Sequence, residues 1–385
     1  MSLWFSASAV VPQLTAEWNL DGSQQSWLTL SVQIGFAVGA VLAAVSNLAD
    51  RMPAHVLFQL AAVCGAATNA AIAFMDLSFG GVIAMRFLTG VCLAGVYPPA
   101  MKLMVSWFAD RRGMAIGTLV AAAAVGSAMP HLFNVLPLAS DATGAPWRAV
   151  ILAASMSALA GALLVGIAIR PGPDLPASAP FDWRQATRTF TDPAMRRANL
   201  GYLGHMWELY AMWAWAPIFL LQSYEAAGAG ETAGRFAGFL TIAIGGAGCL
   251  VAGIAADRRG RTTVAIASLA VSGICALVAG WLGGSTLLLT AVCLVWGFAV
   301  VADSAQFSAA ISELSDPAYV GTALTMQTAL GFLLTATIRL MPWASSRFGW
   351  GAAFAILALG PIVGIVSMWQ LRQMPEASKL AGGRG

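Results

Sequence analysis

His205 and Glu208 stand three residues apart in the stretch GYLGHMWELYAMWAWAP, Gly201 to Pro217. On a helix that spacing puts an imidazole and a carboxyl on a similar face, one turn from each other. Away from water both group types favour their neutral forms, so two of them side by side can exchange a proton near neutral pH. The chemistry on offer is proton binding, or capture of a polar solute. Four further side chains of this kind interrupt apolar runs: Arg86, His131, Asp303 and Arg339, with Lys102 near the end of another. A charge at the centre of a membrane helix costs about 2.5–3.5 kcal/mol on insertion scales, so one that persists marks a site or a structural pair. Lys102 and Arg339 sit near run ends, where long side chains snorkel to water. Asp303, with Gln306 one turn on, is a further candidate for a polar site. His131 and Asn134 are candidates to line a cavity. Among the aromatics of the opening stretch, Trp215 lies seven residues beyond Glu208, near its face, and is a better candidate for stacking on a solute than Tyr210 or Trp213. The plain alternative for each is a buried bond between helices or, for the tryptophans, a place in an interfacial belt.

The elements that must position these groups follow from composition. Of 385 residues, 59% are hydrophobic and 10% charged. Soluble domains carry roughly 25% charged residues. Apolar runs of about 20 residues recur, the length that spans a bilayer as a helix, whereas a membrane barrel reads as short alternating segments. The pattern predicts an all-α integral membrane protein with helices at 24–46, 55–75, 80–105, 113–135, 148–169, 198–222, 234–256, 262–283, 286–309, 319–341 and 350–371. The five cysteines all fall in apolar runs without a CxxC pair, and the 3 histidines lack metal-ligand spacing, so no metal site or cofactor is expected. Basic residues lie in short loops rather than one patch, which argues against a nucleic-acid partner. No phosphate-binding GxxxxGK[ST] loop and no nucleophile–base pair stand out, which argues against an ATP-driven pump and against an enzyme.

Before the first full run comes MSLWFSASAVVPQL, reaching Glu17 after 16 residues. At 1.5 Å per residue that is roughly 24 Å, short of a core near 30 Å. It reads as the outer part of a first helix whose beginning is missing, or as a short re-entrant helix. Counting it as the first of twelve, with both chain ends inside, puts fourteen basic residues in inside loops and tail against Arg148, Arg235 and Arg347 outside. Such a bias marks cytoplasmic loops. The segment 170–196 is Pro-rich and then basic, and reads as a cytoplasmic linker with a short surface helix at 182–190. The chain thus divides into a first bundle at 1–169, the linker at 170–196, a second bundle at 197–374 and a cytoplasmic tail at 375–385.

The two bundles echo each other. LADRMPAH follows the second helix and AADRRGR the eighth, with Asp50-Arg51 and Asp257-Arg258 lying 207 residues apart. Gly113 and Gly321, in RGMAIG and VGTALT, lie 208 apart. Two parallel six-helix halves related by an axis along the membrane normal are a known transporter plan. Here the chain resembles the major facilitator superfamily. Gly253, Asp257, Arg258, Gly260 and Arg261 match its loop motif G-x-x-x-D-R-x-G-R. The first copy keeps Asp50 and Arg51 but has Ser46 and Pro53 at the glycine positions. RFLTG (Arg86 to Gly90) with Gly95 and Pro98 matches the fourth-helix motif, and WFADRRGMAIG (Trp107 to Gly117) the start of the fifth. The fifth-helix G-x-x-x-G-P motif is not intact, since Gly126 and Pro130 are separated.

The resemblance implies two pseudo-symmetric bundles, eleven full helices and a partial first, around a cavity lined by helices one, four, seven and ten. Arg86, Glu208 and Asp303 fall on three of these. It implies that Asp257 with Arg258, Arg261 and Gly253, and Asp50 with Arg51, form a cytoplasmic gate holding the halves together. The expected function is a secondary active transporter of the bacterial inner membrane, moving a small organic solute by alternating access and coupled to protons through Glu208 and His205. A monomer suffices for that mechanism, and its partners are the solute, protons and the lipid bilayer. The rival readings are an anion carrier or exchanger using Arg86, whose planar fork suits carboxylate or nitrate, and a transporter-shaped sensor that binds without translocating.

Overall fold

The structure is a computed structural model that describes residues 1–46, 48–108, 112–136, 146–173 and 182–385, without the side chains of Ala49, Asp50, Val105, Arg112 and Gly113. Among the described residues it is helical, with no strand. In chain order the helices are α1 (Ser2–Phe5), α2 (Val11–Trp18), α3 (Gly22–Val45), α4 (Leu48–Arg51), α5 (Ala54–Phe74), α6 (Phe79–Ala94), α7 (Tyr97–Trp107), α8 (Arg112–Phe133) and α9 (Pro146–Ala168). After them come α10 (Trp183–Thr191), α11 (Pro193–Ala226), α12 (Glu231–Ala243), α13 (Gly245–Arg259), α14 (Arg261–Ala279), α15 (Thr286–Ala302), α16 (Ser304–Leu314), α17 (Val320–Leu334), α18 (Leu340–Leu357) and α19 (Leu359–Arg372). Among the described residues, 9 stretches are long and apolar enough to cross a membrane, three of them made of two helices in line: Phe79–Met104, Glu231–Arg259 and Thr286–Leu314. The protein is a multi-pass membrane protein. The stretch Pro317–Arg372 holds two crossings, because Gly349 reverses the chain inside α18 at φ 80° and ψ 168°, a backbone conformation that favours glycine.

The opening segment is more broken than a partial first helix. A 3₁₀ turn at Ser8–Val10 separates α1 from α2, and Asn19, left-handed at φ 54°, ends α2. Asp21 then caps α3 through a reciprocal box with Gln24. In the stretch 170–196, α10 occupies Trp183–Thr191, and Asp192 caps α11 by accepting from the Ala194 and Met195 amides.

Glycines set the tightest helix contacts, and they repeat. A Cβ on Gly90 would stand 2.0 Å from the Val32 carbonyl oxygen, where α6 crosses α3, and one on Gly297 would stand 1.7 Å from that of Thr241, where α15 crosses α12. These two glycines are 207 residues apart, the spacing of the two Asp-Arg pairs. Bare backbone contacts backbone at both crossings, the device that lets membrane helices approach closely. The breaks repeat as well: α6 gives way to α7 at Gly95–Val96, and α15 to α16 at Asp303.

The two sets of helices meet along two seams. One is α8 against α12 and α13; the other is α3 against α17 and the 3₁₀ turn Thr335–Arg339. At one end of the second seam the contact is polar and closed. Arg339 Nη2 donates to Ser23 Oγ at 3.1 Å, and its guanidinium lies 5.2 Å over the Trp27 ring. One turn deeper, Thr335 Oγ1 donates to Gln33 Oε1 at 2.5 Å. At the same end of the first seam, Arg235 donates to the side-chain and main-chain oxygens of Asn134 and pairs with Glu231. Arg339 is exposed, and in reaching water it also bridges the seam.

Candidate functional site

The break at Asp303 places a carboxylate inside the protein. Asp303 ends α15, and in the buried space beside it His205 Nδ1, on α11, approaches Asp303 Oδ1 to 2.9 Å. Both side chains are 1% exposed. The imidazole lies against the Tyr202 and Phe307 rings at 6.0 and 5.6 Å, and its Nε2 has no hydrogen-bond partner. The two groups lie within ion-pair distance, while Asp303 Oδ1, like His205 Nε2, has no well-aligned hydrogen-bond partner.

Glu208 is not the partner of His205. Trp296 Nε1 donates to Glu208 Oε1 at 2.6 Å and Ser272 Oγ to Oε2 at 2.9 Å. The reason is geometric: a three-residue step rotates about 300° around the helix, leaving roughly 60° between the two side chains, enough to aim them at different neighbours. His205 turns to the α15–α16 break, Glu208 to α14 and α15. The Ser272 hydroxyl is also 3.2 Å from the Leu269 carbonyl oxygen. It can thus donate to an ionised Glu208, or accept from a protonated one while donating to Leu269.

Arg86 is fully buried and fully engaged. Its Nε donates to the Leu28 carbonyl at 3.0 Å, and Nη1 to the Leu3 carbonyl at 2.8 Å, Ser6 Oγ at 3.0 Å and Asn69 Oδ1 at 3.1 Å. Nη2 donates to the Trp4 carbonyl at 2.5 Å. The acceptors come from α1, α3 and α5, so the guanidinium staples the broken opening segment to the helices around it. Each nitrogen of its fork already donates to the protein, which weighs against the rival reading of Arg86 as an anion site.

The ring geometry also reorders the aromatic candidates. Trp215 donates to the Ile338 carbonyl at 3.1 Å and lies 6.3 Å from Trp350, inside the second set of helices. Tyr210 and Trp213 instead enter a cluster that joins both sets. Trp4 lies 5.0 Å from Phe36, 4.9 Å from Phe332 and 5.7 Å from Tyr210, and Phe5 lies 5.6 Å from Trp213. The side of α11 that carries Tyr210 faces the seam, and the side carrying Trp215 does not.

His131 and Asn134 line a small cleft with Ser8, Pro12, Pro217 and Arg235, at the end closed by Arg235. His131 Nε2 is buried without a hydrogen-bond partner, and Asn134 Nδ2 donates to the Ala9 carbonyl at 2.7 Å.

At the opposite end, the expected gate residues form a network of another kind. Arg261 binds Asp257 Oδ1 at 3.2 Å, Glu313 Oε1 at 3.0 Å and Gln306 Oε1 at 3.2 Å. Glu313 Oε2 accepts from the Ala381 amide at 3.0 Å, and Arg384 donates to the Asp257 carbonyl. Everything in this network belongs to α13, α14, α16 or the tail. Among the described residues, these bonds tie the second set of helices together and none of them reaches the first. Asp257 pairs with Arg261, not with its neighbour Arg258, which is exposed, as is Arg51. Gln306 belongs here and not to the Asp303 site. Gly253 is buried, yet a Cβ on it would meet nothing within 4 Å. The side chain of Asp50 lies outside the described residues. Ser272, Trp296, Glu313 and Arg235 are the residues that sequence reasoning missed, as was the pairing of Arg235 with Asn134. Nothing in their types or spacing sets them apart, and only the contacts mark them. Among the described residues no cluster of three or more His, Cys, Asp and Glu side chains could hold a metal ion.

Residues 1–338 match the family description of the Major Facilitator Superfamily. The MFS transporter asaE of Aspergillus flavus is 26% identical over 337 residues, which cover 83% of this chain and 71% of that protein. Among solved structures, a D-xylose-proton symporter aligns with a TM-score of 0.73 at 17% identity, over 98% of this chain and 96% of that one. The nucleoside transporter NupG aligns with a TM-score of 0.70 at 14% identity, over 96% of both chains. At such identities the structural likeness speaks for the fold.

Proposed function

The chain belongs to the major facilitator superfamily, a transporter rather than an enzyme, and we propose that it moves a small organic solute across the bacterial inner membrane by alternating access, coupled to protons. In this reading residues 1–169 and 197–374 are the two rocking halves, 170–196 is the cytoplasmic linker, and both chain ends face the cytoplasm. The observation that carries proton coupling is the buried His205–Asp303 pair at a helix break. A dry site tolerates an ion pair only when its charges balance, and leaving one charge unpaired costs several kcal/mol. Gain or loss of one proton changes the net charge of the buried pair, whichever residue carries it. Either change is relieved by repacking α11 against α15 and α16, or by admitting water. Since α11 also carries Tyr210 and Trp213 at the seam, that repacking reaches the surface on which the halves move. Glu208 is a further candidate proton site, with Ser272 as a hydroxyl able to serve both of its forms. The Arg339–Ser23 and Arg235–Asn134 clamps hold the periplasmic end closed and must part for the outward-open state.

Reconstituted protein without ligand, titrated across about pH 5 to 9 while tryptophan fluorescence is read, tests the assignment. A transition that disappears in His205→Gln and in Asp303→Asn but survives in Glu208→Gln supports the pair. A transition lost only in Glu208→Gln moves the proton to that residue, and one unaffected by all three substitutions ends the proton-coupled reading.

A further inference from the structure

The ring cluster at the seam contains polar atoms that have nothing to bind. Trp4 and Trp213 are buried, yet the indole Nε1 of each lacks a hydrogen-bond partner. Gln33 is buried too; its Oε1 accepts from Thr335, while its Nε2 is unpartnered. Buried donors are nearly always satisfied, so several orphans around one cluster call for an explanation. They sit among rings drawn from both sets of helices: Trp4 and Phe36 from one, Tyr210, Trp213 and Phe332 from the other. Such a cluster offers flat apolar faces and N–H edges.

We infer that these rings are the solute site of the transporter proposed above, and that its solute is an uncharged, flat ring compound bearing carbonyl or ether oxygens. Faces of the solute replace ring–ring contacts, and its oxygens accept from Trp4, Trp213 and Gln33. The inference rests on the transporter reading and specifies its substrate class. Charge complementarity excludes the alternatives. A cation would gain from the ring faces but would bring no acceptor for the orphaned N–H groups. The nearby carboxylates are committed, Glu208 to Trp296 and Ser272, and Asp303 to His205. An anion would need Arg86, each of whose three nitrogens donates to the protein, Nη2 to the Trp4 carbonyl itself. The site straddles the seam, so a bound solute touches both halves at once, as a solute carried by relative motion of the halves must.

The test is calorimetric titration of the purified protein with uridine and coumarin, both uncharged rings with carbonyl oxygens, against benzoate and tetraphenylphosphonium as charged probes. Saturable binding of an uncharged probe and none of the charged ones is the expected result. Trp213→Phe keeps a ring and removes the N–H; it should weaken binding about 2- to 12-fold, the value of one hydrogen bond. Trp4→Phe should act alike and stands in if Trp213→Phe does not fold, while Trp281→Phe, at an exposed position, should bind as wild type. Failure of both uncharged probes, preference for a charged probe, or wild-type affinity in both seam variants overturns the inference. Binding in detergent requires no gradient, so this outcome is separable from the ligand-free titration of His205 and Asp303.

Discussion

Replacing Arg86 by lysine separates two roles that composition alone cannot. The substitution keeps the charge and removes the fork. Arg86 reaches five acceptors: the carbonyls of Leu3, Trp4 and Leu28, with Ser6 Oγ and Asn69 Oδ1. A lysine ammonium has three donors at a single point, so at least two of those five bonds are lost, although the Leu3 carbonyl and Asn69 Oδ1 keep the Ser6 hydroxyl as a donor. Each lost bond to the charged group is worth about 1.5–3 kcal/mol, giving roughly 3–6 kcal/mol of destabilisation. At about 2–4 °C per kcal/mol for a large domain, the melting temperature of the detergent-purified protein should fall by at least ~6 °C. Differential scanning fluorimetry reads this directly, using the native tryptophans. Were Arg86 an anion site held ready for cargo, Arg86→Lys would melt like the wild type and lose only anion affinity. A melting temperature within ~1 °C of wild type would refute the stapling argument.

Two further expectations concern packing and gating. Gly297→Ala puts a methyl 1.7 Å from the Thr241 carbonyl oxygen, where only backbone can yield, so α12 and α15 must separate; the expected cost is about 1–3 kcal/mol or more. Gly253→Ala, with open space around it, should be neutral or slightly stabilising, and thermal melts in the reverse order would sink the close-approach argument. Removing both clamps in Arg235→Ala, Arg339→Ala should favour the outward-open state. In a background lacking the five native cysteines, a cysteine at position 8 should then react several-fold faster with an impermeant maleimide; an unchanged rate would mean that the clamps do not hold the periplasmic end.

Features that depend on local pattern were legible in the sequence. Runs of about 20 apolar residues predict the crossings because each must hide its own backbone bonds in lipid. The repeat was legible because Asp50 and Asp257, 207 residues apart, and Gly113 and Gly321, 208 apart, keep nearly the same offset. Pairings between distant residues were not. His205 and Glu208 look like partners in one dimension, but the partner of His205 is 98 residues away, at a break that no proline or glycine announces. Asp257 and Arg261 are a contrasting case. Their four-residue separation is the spacing at which side chains meet, whereas neighbours such as Asp257 and Arg258 point apart. Gly260, at φ 94°, bends the chain between them without breaking that contact. Trp213 and Trp215 differ in role because two residues turn a helix by about 200°, carrying one ring to the seam and the other into the bundle.

The ring cluster has an electrical consequence. A membrane that stores a proton gradient is an insulator, and one unbroken file of water through a carrier discharges it. Trp4, Phe36, Tyr210 and Phe332 contact one another at ring separations of 4.7 to 5.7 Å, and in the transport cycle proposed above they form a septum across the path between the halves. While it is shut, protons arriving from outside stop short of the inner face. Whatever parts these rings must first seal another layer, so the polar clamps of Arg235 and Arg339 and the septum cannot stand open together. The lock chambers of a canal obey the same order, and for the same reason: the difference in level survives only if one gate is always closed.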